Sequence, residues 1–218
     1  MQRSMKILSV LFVILLFLFA NQAEINAEWK QSSKGWWYSE NSYYSIGWRF
    51  IDGKWYNFDN LGCMRTGWVK DGTLSYYMGS DGSMKTGFQF IDGITYKFGN
   101  SGKLIGKFIG MSRISDNGKE IKTFLWENGD KYEGEWSNNQ INGQGKLIYI
   151  NGNTYEGNFK DGMKNGQGIF IWKNGDKYEG QWSMDKMNGQ GTYKFTNGNI
   201  INGIWKDNNC IKRIGGKL

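Results

Sequence analysis

The run Tyr132-Glu133-Gly134-Glu135-Trp136 decides the fold, because the chain repeats it. It returns as Tyr155-Glu156-Gly157-Asn158-Phe159 and as Tyr178-Glu179-Gly180-Gln181-Trp182. It fades as Ile201-Asn202-Gly203-Ile204-Trp205, always at a spacing of 23 residues. Between the copies stand Asn142-Gly143-Gln144-Gly145, Asn165-Gly166-Gln167-Gly168 and Asn188-Gly189-Gln190-Gly191. Asn128-Gly129, Asn151-Gly152, Asn174-Gly175 and Asn197-Gly198 keep the same period. Asn-Gly is a strong hairpin signal, since both residues accept the positive φ of a type I′ turn. A fixed period of this length marks a stack of like units.

Strand alternation assigns the faces. Tyr132, Gly134 and Trp136 share one face, and Glu133 and Glu135 share the other. The central glycine is read as leaving room for a neighbour's ring. On the returning strand, Phe124, Leu147, Phe170 and Tyr193 occupy one repeated position. Trp126, Tyr149, Trp172 and Phe195 occupy another, two residues on. All eight are large and apolar, so this is the packed face. The opposite face carries Leu125, Ile148, Ile171 and Lys194, a mixed set whose cover alternation alone leaves open. The acids Glu133, Glu156 and Glu179 read as a solvated stripe, with Lys131 and Lys177 as candidate partners.

Toward the amino terminus the period shortens to 20. Gly47-Trp48, Gly67-Trp68 and Gly87-Phe88 open three units, and Gly62, Gly82 and Gly102 close them. Met64, Met84 and Leu104 follow at equal offset. Asp52-Gly53, Asp71-Gly72 and Asp92-Gly93 are turn dipeptides between short runs of β-formers. A truncated unit precedes them, with Trp37 aligned to Trp55 and Tyr38 to Tyr56. Single hairpins are barely stable in water, so stacking must bury their aromatic faces. Residues 107–122 fit neither period and read as a junction that passes the sheet onward.

The first residues carry Arg3 and Lys6, and residues 7–20 are almost wholly apolar. That run is short for a bilayer crossing, which needs about 20 residues. It suits an export signal cleaved after Ala27, with Ala23 as the runner-up site; an uncleaved anchor is the alternative reading. The expected organisation is therefore signal 1–27, first array 28–106, junction 107–122, second array 123–209 and tail 210–218.

Composition excludes several chemistries. The chain has 32 Gly, 11 Trp, 12 Tyr and 13 Phe, with no Pro and no His. Without His there is no Ser-His or Cys-His dyad and no His-ligated metal. Cys63 and Cys210 cannot make a four-cysteine metal site, and they lack the regular spacing of a disulfide framework. The acids recur identically, whereas a catalytic carboxylate pair is unique and asymmetric. No enzyme activity and no cofactor are expected. The net charge of +7 comes from scattered residues without an arginine-rich run, so nucleic acid is not an expected partner.

The first array, over residues 29–106, resembles the choline-binding or cell-wall-binding repeats of Gram-positive surface proteins. The matching residues are Gly47-Trp48, Trp55-Tyr56, Gly62 and Met64 with their equivalents. Gly87-Phe88-Gln89-Phe90-Ile91-Asp92-Gly93 is similar to the carbohydrate-binding repeats of large clostridial toxins. The second array, over residues 123–209, resembles MORN repeats through Tyr-Glu-Gly-x-Trp and Gly-x-Gly. The implied fold is all-β: a choline-binding-type hairpin solenoid, then a MORN-type elongated antiparallel hairpin sheet.

The first resemblance implies cages of two tryptophans and a tyrosine between successive hairpins. A quaternary ammonium has no proton to donate, so it is held by aromatic faces. Carried onto this chain, one cage is Trp37, Trp48 and Tyr56, and a second is Trp55, Trp68 and Tyr76. A third is defective, with Ser75 and Phe88 in place of tryptophan. At this level three readings of these rings stand together: choline cages, platforms for sugar rings, and hairpin packing. The implied partner is a cell-wall polymer, either choline-substituted teichoic acid or glycan. The implied location is the wall-associated surface. The MORN-like array implies a scaffold with a protein or membrane-lipid partner.

Overall fold

The computed structural model describes residues 27–214, and every regular element among them is a β-strand. The expected export signal, up to residue 26, and the last four residues of the expected tail lie outside the described residues. The described chain divides into two compact units. One comprises residues 27–69 and 77–84, the other residues 70–76 and 85–214.

The first unit begins with a three-stranded sheet of β1 (Ala27–Ser32), β2 (Gly35–Glu40) and β3 (Tyr43–Tyr44). A two-stranded hairpin follows, β4 (Gly47–Ile51) with β5 (Lys54–Phe58). The chain passes between the units within the hairpin β6 (Gly67–Asp71) and β7 (Leu74–Met78). Asp52-Gly53 and Asp92-Gly93 form the expected turns, with both φ positive at 48°/78° and 49°/81°. Asp71 instead ends its strand, and only Gly72 is left-handed, at 58°. That is a turn of the II′ kind, shifted by one residue.

The second unit is one antiparallel sheet of twelve strands in chain order. It starts with β8 (Gly87–Ile91), β9 (Ile94–Phe98), β10 (Leu104–Ile114) and β11 (Glu120–Trp126). It continues through β12 (Lys131–Ser137), β13 (Gln140–Ile148), β14 (Thr154–Lys160) and β15 (Met163–Ile171). It closes with β16 (Lys177–Ser183), β17 (Lys186–Lys194), β18 (Ile200–Lys206) and β19 (Asn209–Arg213). The last hairpin of the period-20 array and the period-23 array thus share one sheet, joined through β10 and β11.

The Asn-Gly dipeptides differ from the expected turn. Gly129, Gly152, Gly175 and Gly198 have φ near 90°, but the asparagines before them do not take a positive φ. Each asparagine instead accepts a bond from the backbone two residues on. Asn128 Oδ1 takes the N–H of Asp130 at 3.0 Å, and Asn151, Asn174 and Asn197 repeat the bond. The side chain closes the turn and only the glycine pays for a left-handed backbone. Tight turns with two positive φ values occur at the other edge, at Asn138-Asn139, Asp161-Gly162, Met184-Asp185 and Asp207-Asn208.

The core follows the alternation. Tyr132, Tyr155 and Tyr178 are fully buried. Each phenol donates to a backbone carbonyl three residues on, at Glu135 (3.1 Å), Asn158 (2.9 Å) and Gln181 (3.1 Å). To get there the ring lies over its own repeat's glycines, not a neighbour's. A Cβ on Gly145 would sit 2.2 Å from the Tyr132 phenol oxygen, and one on Gly134 would sit 2.3 Å from it. Each tyrosine then meets two aromatics edge-on. Tyr178 packs on Trp182 at 5.2 Å and 89°, and on Trp205 at 5.3 Å and 80°. Edge-to-face pairs of this kind add stability beyond buried area.

On the opposite face Ile148, Ile171 and Lys194 are exposed, which settles that face as wet. Glu156 and Glu179 are exposed there, Glu179 paired with Lys177 at 2.8 Å. Glu133, the first of the expected stripe, is half-buried and accepts a bond from Arg113 at 2.9 Å. Glu135, read as sharing its face, is not solvated. It is buried, 2.7 Å from Lys119 Nζ and 3.1 Å from Asn117 Nδ2. Burial pushes its carboxyl up, but these partners and the Gln144 backbone outweigh that and hold it below the usual range.

Lys164 stands where the flanking repeats have Ile141 and Met187. Its ammonium lies 5.1–5.9 Å from the ring centres of Tyr149, Tyr155, Phe170 and Trp182. Burial lowers its pKa, and Asp185, 3.8 Å away, opposes that.

Two outcomes follow from this packing. Burial raises the pKa of Tyr178 to about 12, against about 10 in an unfolded chain. The unfolded state therefore loses this proton first, so the stabilisation is complete below pH 10 and is lost as pH rises toward 12. Tyr178 alone accounts for something on the order of 3 kcal/mol. Thermal melts should fall steeply between pH 10 and 12, with the phenolate absorbance of the buried tyrosines appearing only on unfolding. Gly180→Ala should cost about 1–3 kcal/mol in the same assay at pH 7. Its Cβ would meet Gly191 Cα at 2.5 Å and the Gln190 carbonyl at 2.6 Å, both backbone.

Candidate ligand-binding site

In the first unit the turn after each hairpin is built by side chains that tie down the backbone. Asp59 Oδ1 accepts the N–H groups of Leu61 (2.9 Å) and Cys63 (2.8 Å). Gly62 turns the chain with φ 78°, and Met64 then bridges to Phe58. The N–H of Met64 donates to the Trp36 carbonyl at 2.7 Å. One unit later the N–H of Met84 donates to the Trp55 carbonyl at 2.8 Å.

These bonds set the true equivalence of the hairpins. Trp36 and Trp55 each lie one pair in from the turn, opposite Gln31 and Phe50. Trp29 and Trp48 each lie three pairs in, opposite Tyr38 and Asn57. The counterpart of Trp55 is therefore Trp36 rather than Trp37. The alignment by residue type is one position out because the two tryptophans are adjacent and the strand pairing was not visible.

Trp29, Trp36 and Tyr56 line a cavity of 390 Å³ together with Met64, Ser80 and Asp81. The rings of Trp29 and Tyr56 meet at 4.8 Å and 64°, and Tyr38 backs Trp29 at 5.1 Å. Trp36 is 43% exposed, so its face is open to a ligand. The thioether of Met64 is held in the wall by Gly82. A Cβ there would lie 2.0 Å from Met64 Sδ.

A carboxylate, that of Asp81, borders the cavity. Tyr56 has a raised pKa, first through burial and then through the charges of Asp81 and Asp52. Lys54 Nζ stands 4.0 Å from Asp81, and Ser83 Oγ donates to the same carboxylate at 2.8 Å. Among the described residues no ammonium lies over Trp29, Trp36 or Tyr56. Aromatic faces, a thioether and a carboxylate suit a soft, methylated cation.

Of the first expected trio, Tyr56 lines this cavity, and Trp37 and Trp48 are not among its lining residues. Trp37 lies under the Lys30 ammonium at 5.3 Å. Trp48 is half-buried on β4. Of the second trio, Trp55 packs on Phe50 at 5.4 Å and Trp68 on Tyr77 at 5.3 Å. Tyr76 belongs to the other unit, where it is half-buried on β7. Residue-type reasoning missed Trp29, Trp36, Met64 and Asp81. Counting pairs outward from the Ser33-Lys34 turn would have found both indoles.

The choline-binding repeat family matches residues 45–87, and MORN repeats match residues 132–154, 155–177 and 178–200. The chain carries choline-binding and MORN repeats, in that order. No curated protein matches it. Among solved structures it is similar to the cell-wall endolysin of phage Cp-1 complexed with choline, at 26% identity. That likeness covers 55% of this chain and 39% of the endolysin, with a TM-score of 0.37. It is similar to CbpJ of Streptococcus pneumoniae at 24% identity, over 71% of this chain and 48% of that one, TM-score 0.39. The choline-binding domain of Spr1274 from Streptococcus pneumoniae is 38% identical over 28% of this chain and 92% of that domain, TM-score 0.27. The chain thus spans less than half the length of the endolysin and of CbpJ.

The cysteines of the choline-binding and MORN segments, Cys63 and Cys210, are free thiols. Among the described residues no cluster of Cys, Asp or Glu could hold a metal ion.

Gly82→Ala tests the wall of the cavity. Its φ of 74° strains any side chain, and the new Cβ displaces Met64. The Met64 methyl resonance should lose its ring-current shift in an NMR spectrum while those of the MORN segment stay in place.

Proposed function

We propose that the choline-binding segment holds choline groups of a cell-wall polymer in the cavity of Trp29, Trp36 and Tyr56. The observation that carries the reading is this box of three rings with Met64 and Asp81, placed by the turn bonds of the repeat. The repeat match over residues 45–87 supports it. Trp48 and Trp55 hold the same register positions in the next hairpin, with Met84 bonded to Trp55 as Met64 is to Trp36. The same pair of indoles is therefore offered again. A wall polymer repeats its ligand, so weak sites in series add avidity. The MORN segment serves as a scaffold or interaction surface displayed at the wall. The protein is exported by its first 27 residues and acts by binding rather than by catalysis. The absence of histidine and the recurrence of one acid at the same position in each MORN repeat, Glu133, Glu156 and Glu179, support that.

Retention on a choline-substituted resin, with free choline as competitor, is the test. Trp36→Ala should weaken binding at this site about tenfold, or about 1.4 kcal/mol. Asp81→Asn should weaken it less, and mainly at low salt. Trp37→Ala should leave it unchanged, since that ring already sits beneath Lys30. A chain that flows through the resin, or a Trp37 variant that fails while the Trp36 variant binds, contradicts the assignment.

A further inference from the structure

A second cavity lies wholly within the twelve-stranded sheet, where β10 and β11 lead into the first MORN repeat. Its volume is 480 Å³, and Phe88, Phe108 and Trp136 form its aromatic walls. That size falls within the usual range of small-ligand sites, about 300–1,000 Å³. The floor is irregular. The pairing of β10 with β11 slips between Ile109 and Arg113, and Gly110 takes a φ of 71° there. Bulges of this kind re-aim side chains and recur beside functional sites.

The electrostatics narrow the ligand. Lys97 Nζ already lies over Phe88 at 5.3 Å, and Lys122 Nζ over Phe108 at 5.4 Å. A ligand cation would find those faces already taken by the protein's own ammonium groups. Glu120, in the lining, pairs with Lys122 at 2.9 Å. That pair neutralises the lysine and sets a carboxylate against an incoming anion. The remaining polar lining consists of hydroxyls and amides: Thr123, Ser137, Asn138 and Asn139 among them. Each of these groups both donates and accepts. A neutral, hydroxyl-rich ligand with an apolar face fits all of this.

Trp136 supplies an independent observation. Trp182 and Trp205 donate their indole N–H to the carbonyls of Gly168 (3.1 Å) and Gly191 (3.0 Å), fourteen residues earlier in each case. Fourteen residues before Trp136 stands Lys122, on a hairpin without the Gly-x-Gly run. The Trp136 N–H has no partner, and it is the only such buried side-chain nitrogen or oxygen among the described residues. Buried donors of this kind are rare in native structures.

We propose that this cavity binds a neutral pyranose of a glycan chain. The apolar face of the sugar ring rests against Trp136, beside Phe108. Its hydroxyls bond the amides of Asn138 and Asn139. A small rotation of the indole brings the Trp136 N–H to a sugar oxygen. The site is independent of the choline reading and shares no residue with it.

The full chain, labelled with nitrogen-15, is titrated with chitotriose and with maltotriose while the Trp136 indole resonance is followed. At least one trisaccharide should shift that resonance with a saturable curve, unaffected by free choline. Asn138→Gly and Asn139→Gly each remove an amide where φ is already 50° and 61°, so the turn is kept. Each should weaken binding about five- to tenfold, and Trp36→Ala should leave it unchanged. The proposal is overturned if neither trisaccharide moves the resonance at about 10 mM, far above the dissociation constant of a useful site. It is equally overturned if choline or inorganic phosphate moves the resonance instead, or if both lining variants bind as the parent does.

Discussion

The second unit depends on one bond made three times, the donation from a buried tyrosine phenol to a carbonyl of its own strand. Tyr132, Tyr155 and Tyr178 are wholly inside, so each hydroxyl must find an acceptor or forfeit its hydration without return. The reachable acceptor lies three residues on, and the ring must cross the strand to meet it. That crossing requires bare backbone beneath the ring, which is why Gly134 faces Gly145, Gly157 faces Gly168, and Gly180 faces Gly191. The glycines and the tyrosines are one device. The edge-on aromatics, the turn positions and the 23-residue period are consistent with it, because each repeat must present the same ring to the next.

The repeats are also tied at both margins by polar bonds of the same period. Asp130, Asn153 and Asp176 accept the backbone N–H twenty residues on, at 2.8–2.9 Å. At the other margin Asn142, Asp185 and Asn208 bond the backbone of the adjoining repeat. These side chains explain a preference for Asn and Asp that turn propensity alone does not. They hold the array together where the aromatic core thins out.

Aromatic faces serve cations in several ways along this chain. Lys164 is enclosed by four rings, and Lys97 and Lys122 cover Phe88 and Phe108. In these places the protein supplies its own ammonium. The box of Trp29, Trp36 and Tyr56 has the same surfaces and a carboxylate at its border, without an ammonium of the described residues over its rings. Whether a ring is packed or open therefore rests on what already occupies its face, which residue type does not reveal.

Much was legible in the residues themselves. Alternation assigned the packed face of the MORN segment correctly, since the period of a strand is two whatever its surroundings. The two periods and the all-β class were equally plain, because Gly, Asn-Gly and paired aromatics recur at fixed spacing. What needed the tertiary structure was register. Trp36 and Trp37 are adjacent and alike in type, and only strand pairing with β1 and the bond from Met64 decide which is the counterpart of Trp55. The burial of Glu135 was hidden for a similar reason, since Lys119 and Asn117 reach it from a turn sixteen and eighteen residues away in sequence. Local periodicity is a property of one strand, and the chain states it by itself. A ligand site is a meeting of several strands, and a one-residue change of pairing moves every side chain to the other face.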